Sequence, residues 1–60
     1  MSNMMKRIWQ EKVNDIITTG LKIKRVIDKD DFSGREAIET SINVKKLQRL
    51  SDELARMMEW

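Results

Sequence analysis

The chain has no cysteine, no histidine, no proline and no tyrosine, and only two glycines and one phenylalanine in 60 residues. Without cysteine there are no disulfides, no thiolate metal sites and no cysteine nucleophile. Without histidine the commonest general base and the commonest metal ligand are missing. Charge of one sign is not in large excess either. Twelve Lys and Arg against ten Asp and Glu leave a net charge of +2, a mild basic bias rather than the imbalance of a dedicated nucleic-acid binder. No stretch approaches the roughly 20 apolar residues of a membrane span. The opening "MSNMMKRIWQ" lacks the apolar run of a secretory signal. Together with the missing cysteines, this makes a cytoplasmic protein with no membrane partner the expectation.

Shortness is itself a constraint. A monomer of this length buries only about 60% of the surface its unfolded chain exposes, and such domains lean on disulfides, metals or oligomerisation. With the first excluded and no cofactor or metal indicated, oligomerisation is the support that remains.

What is present favours helix. Leu, Met, Lys, Arg and Glu are abundant, all good helix formers. In the first half Trp9, Val13, Ile16, Gly20, Ile23 and Ile27 recur at 4-3-4-3-4 intervals, the alternation of seam positions in a heptad. Met5 and Ile8 extend the pattern backwards, and Ser2 or Asn3 can cap the start. In the second half Val44, Leu47, Ser51, Leu54 and Met58 repeat the same spacing, with Leu50 and Met57 widening it. The pattern predicts one domain over 1–60: a helix over about 3–29, a turn over about 30–33 and a helix over about 34–59. That is an all-α antiparallel helical hairpin with arms of about 38 Å. It pairs Ile27 with Ala37, Ile16 with Leu47 and Trp9 with Leu54.

The connecting stretch "DKDDFSGREAIE" (28–39) places Asp28, Asp30 and Glu39 as an EF-hand loop places its first, third and twelfth ligands. Its fifth and sixth positions are wrong, however. Phe32 has no ligand oxygen, and Ser33 stands where the chain must bend as only glycine allows. A capping box explains the same residues: the Ser33 hydroxyl accepts from the Glu36 N–H while the Glu36 carboxylate reaches back to the Ser33 N–H. Phe32 is placed as a hydrophobic staple, and the stretch reads as a turn with no metal.

Two helices shield only part of each other's apolar faces. Ile38 and Ile42 lie well off the second helix's seam, and left bare they form the kind of patch that marks an interaction site. Two hairpins joined by their open faces would make a four-helix bundle, so a homodimer is expected. Ile38, Ile42 and Trp60 are candidates for either the dimer contact or an external partner. Gly20, within "TTG", reads as a close helix approach or as a hinge.

Three further features carry possible function. Met1, Met4, Met5, Met57, Met58, Trp9 and Trp60 gather at the open end, and methionines re-pack readily against different partners. Lys22, Arg25 and Lys29 share one face of the first helix, and Lys45, Lys46 and Arg49 one face of the second. Such faces can meet phosphates, so RNA or DNA is the alternative partner, as in helical-hairpin dimers that bind paired RNA loops, an analogy of fold alone. The carboxylates near the turn lack the shaped pocket that a general acid needs. No catalytic residue is therefore assigned, and the chain reads as non-enzymatic.

In length, composition and the opening "MSNMMKRIWQEKVNDIITTGLKIKRVID", the chain resembles the small early-region proteins of lambda-like temperate phages. That resemblance implies a protein acting in lytic development by binding a host or phage protein, often as a small dimer. It carries no site residue with it.

Overall fold

A computed structural model describes residues 3–59; Met1, Ser2 and Trp60, the last a candidate contact residue, lie outside the described part. The fold is an all-α hairpin of α1 (Asn3–Ile27) and α2 (Gly34–Met58). Sequence places the end of the first helix near residue 29, and the structure ends it at Ile27. There the Asp28 N–H still donates to the Lys24 carbonyl at 2.9 Å, but the Lys29 N–H donates to Val26, only three residues back, at 3.1 Å. This tighter closing turn winds the helix down without glycine or proline. Lys24 pairs with Asp28, and Lys29 reaches across the turn to Glu36. The start of α2 is the capping box: Ser33 is extended, its Oγ accepts from the Glu36 N–H at 3.2 Å, and its own N–H donates to Glu36 Oε1 at 3.1 Å. Glu59 closes the far end, its N–H donating to the Arg56 carbonyl.

Burial identifies the residues facing across the hairpin. In α1 they are Met5, Trp9, Lys12, Ile16, Thr19, Ile23 and Val26; in α2 they are Glu36, Thr40, Asn43, Leu47, Leu50, Leu54 and Met57. Both stripes step 4-3-4-3-4-3, the seam of helices packed nearly antiparallel. Among the described residues only Thr19 and Leu50 are buried, and neither completely. The Lys12 Nζ meets Glu53 Oε2 at 2.6 Å, a bond between the helices that fixes their register.

These stripes are not quite the seam that hydrophobicity marks. Trp9, Ile16, Ile23, Leu47 and Leu54 belong to both, and Gly20 is half-buried beside them. Val13, Ile27, Val44 and Met58 lie outside, 39, 63, 39 and 52% exposed. Polar side chains have taken the inward places: Lys12, Thr19, Thr40 and Asn43. The hairpin measures 46 × 16 × 12 Å, and its radius of gyration is 14.2 Å, against about 10 Å for a compact chain of this length. It is a rod with almost no interior.

Candidate interaction surfaces

Ile38 and Ile42 project from α2 at 65 and 60% exposure. Ile42 stands between two shallow depressions. One is lined by Lys22, Arg25, Val26, Glu39, Thr40 and Asn43, the other by Lys45, Lys46 and Arg49. Two basic groups that are far apart in sequence thus meet on either side of one apolar side chain. Antiparallel pairing achieves this, because Lys22 and Arg25 on α1 come level with 39–43 on α2. Lys29 does not join them; it lies at the turn, paired with Glu36. The positive field is broken by Glu39 in the first depression and by Glu53, whose Oε1 lies 3.9 Å from the Arg49 Nε.

Two carboxylates are held in their charged form. The Lys12 ammonium bonded to Glu53 lowers that carboxyl below its ordinary value, with smaller help from Arg49 and Arg56. Lys29 does the same for Glu36, assisted by the Ser33 N–H. Both groups serve structure: one locks the helix register, the other caps α2. Among the described residues no three His, Cys, Asp or Glu side chains are grouped to hold a metal ion, and no helix is long and apolar enough to cross a membrane.

A second surface lies beside the seam. At about 100° per residue, Val13, Ile17, Gly20 and Ile27 of α1 fall on the same side of the hairpin as Val44, Ser51 and Met58 of α2. Val13, Ile17, Ile27, Val44 and Met58 are 39–63% exposed. Gly20 makes no close approach within the hairpin, since a Cβ placed there meets nothing within 4 Å. The helix runs unbroken through it. At the open end Trp9 is half-buried beside Lys6, Gln10 and Val13, while Met4 is 72% exposed.

Sequence reading missed Lys12, Thr19, Asn43 and Glu53 as seam residues. One signal was available for the ion pair: in an antiparallel hairpin the opposite charges of Lys12 and Glu53 lie at nearly the same height. Comparison of the chain with protein-family models, with curated proteins and with solved structures found no match.

Proposed function

We propose that this protein is a small, non-enzymatic, homodimeric interaction protein that binds and modulates another protein in the cytoplasm. The observation that carries the reading is Ile42, 60% exposed between Lys22 and Arg25 on one side and Lys45, Lys46 and Arg49 on the other. An apolar anchor with charged neighbours is the usual make-up of a protein-binding spot: the anchor supplies affinity and the charges supply orientation and partner choice. The partner that fits presents an apolar residue flanked by carboxylates. Resemblance to phage early-region proteins supports a host or phage target and a role in lytic development or host takeover.

The same cations favour a second reading, in which they contact nucleic-acid phosphates. One experiment separates the two. The tagged protein is used to capture partners from host lysate with and without nuclease, alongside an Ile42→Asp variant. A defined protein retained after nuclease, and lost with Ile42→Asp while the helices and dimer persist, supports the protein-binding reading. Recovery of nucleic acid, with binding that falls steeply as salt rises, moves the function to the basic residues. Unfolding or dissociation of Ile42→Asp assigns Ile42 to the core.

A further inference from the structure

We infer that the face bearing Val13, Ile17, Ile27, Val44 and Met58 packs against the same face of a second copy, and that Ile38 and Ile42 stay on the outside of the resulting bundle. This rests on the homodimer reading above and deepens it by assigning the surface. Three observations point the same way.

The first is angular. On each helix the hydrophobic seam is centred about 40–60° around from the stripe that faces the other helix, counting about 100° per residue. The two turns are independent and could have opposed each other. In the antiparallel hairpin both go to the same side. In a four-helix bundle the core lies about 45° from the line joining two neighbouring helices. Hydrophobicity therefore points at the centre of a bundle of two hairpins, while the inward stripes point only at the other arm of one.

The second is area. The chain exposes 5131 Å² for a mass of 7.1 kDa, where a folded monomer of that mass exposes about 4,100 Å². The excess of about 1,000 Å² is close to the roughly 800 Å² that each partner contributes to a standard interface.

The third is charge. Along α1 this face carries no charged residue from Trp9 to Gly20, its only cations being Lys6 and Lys24 towards the two ends of the helix, and α2 offers Val44, Gln48, Ser51, Ala55 and Met58 there. The opposite face carries Asp15, Lys22, Glu39 and Lys46, whose burial without partners would be costly. A second copy seated on the Val13–Val44 face covers apolar groups and leaves those charges in water.

The test uses the natural absence of cysteine. Ser51→Cys places a thiol on the inferred interface and Lys46→Cys one on the opposite face. Both positions are exposed in the single hairpin. Alkylation rates are measured above and below the dissociation concentration found by sedimentation, with Gln48→Cys as a second probe of the interface. In the dimer the Ser51→Cys thiol should react at least about tenfold more slowly than the Lys46→Cys thiol, because a buried group reacts only through opening. On dilution the difference should vanish. A dimer in which the Ser51→Cys and Gln48→Cys thiols react as fast as the Lys46→Cys thiol, or in which only the latter is protected, overturns the face and leaves the homodimer standing. A chain that sediments as a monomer at every concentration overturns both.

Discussion

Between α1 and α2 an apolar stripe that includes Trp9, Ile16, Ile23, Leu47, Leu50 and Leu54 is interrupted by Lys12, Thr19, Thr40, Asn43 and Glu53, whereas the face beside that seam leaves Val13, Ile17, Ile27, Val44 and Met58 exposed. A chain that folds only for itself would bury more of those apolar groups and leave the polar ones to water. The inner seam has the contacts that set geometry: one ion pair between the helices, small hydroxyls that let them approach, and a short apolar run around Leu50. The outer face holds five of the eleven large hydrophobic side chains left exposed among the described residues. Geometry and driving force are thus divided between two surfaces, and only the first is satisfied within one hairpin.

The strongest way to break this comparison is to weaken the seam where it is apolar. Leu50 is 6% exposed, and a buried Leu→Ala change costs about 2–5 kcal/mol. For so small a chain that is a large share of the roughly 5–15 kcal/mol of a typical domain. Leu50→Ala is expected to be largely unfolded by circular dichroism at room temperature. Val44→Ala, at a site 39% exposed in the hairpin, should cost little in a dilute monomer and distinctly more where the dimer forms. Equal losses for the two variants at every concentration would erase the distinction between the surfaces.

How much of this was legible in the sequence depends on what kind of signal carried it. The two helices were, because their 4-3 spacing runs nearly their whole length. The cap of α2 was, because Ser33 and Glu36 need only each other and a fixed separation of three. The facing stripes were legible only in part: Trp9, Ile16, Ile23, Leu47 and Leu54 belong to both seams, whereas Lys12, Thr19 and Asn43 gave no signal. Hydrophobic periodicity reports the direction in which apolar groups gain most from burial, and here that direction is not the line to the other helix. Lys12 and Thr19 fall within the apolar arc of α1, between Ile23 and Val26 at about 100° per residue, but as polar residues they carry no hydrophobic signal. Likewise, the two basic groups flanking Ile42 are adjacent only because the hairpin folds back at the residue level that it does.

Smaller changes sharpen the comparison from the polar side. The Thr40 hydroxyl oxygen is buried with no hydrogen-bond partner among the described residues, a state that costs about 1–3 kcal/mol. Thr40→Val should therefore raise the denaturation midpoint, and a lower one would mean that the hydroxyl is used in the assembled protein. Gly20→Ala should gain about 1 kcal/mol from helix propensity alone, since a Cβ at Gly20 has open space around it in the hairpin. A loss of stability confined to concentrations where the dimer forms would show that the second copy's backbone comes close at that point.

The smallest expected effect concerns the ion pair itself. Glu53 has its carboxyl lowered by Lys12 relative to the ordinary 4.5, and Glu36 is lowered by Lys29 and Ser33. A carboxyl whose value is depressed on folding adds stability that is complete above the unfolded value and disappears as pH falls through the folded one. Denaturation midpoints should thus stay level from neutral pH to about 5, then fall below 4.5 as these groups take up protons. Both carboxylates are solvent-accessible, so the decline should be modest and should shrink further in high salt. Glu53→Gln removes one contributor and should flatten the acid limb while leaving the part due to Glu36. If Glu53→Gln falls as steeply as the parent, the Lys12 contact sets register without adding stability, and the seam between the helices contributes geometry while the outer face contributes the burial.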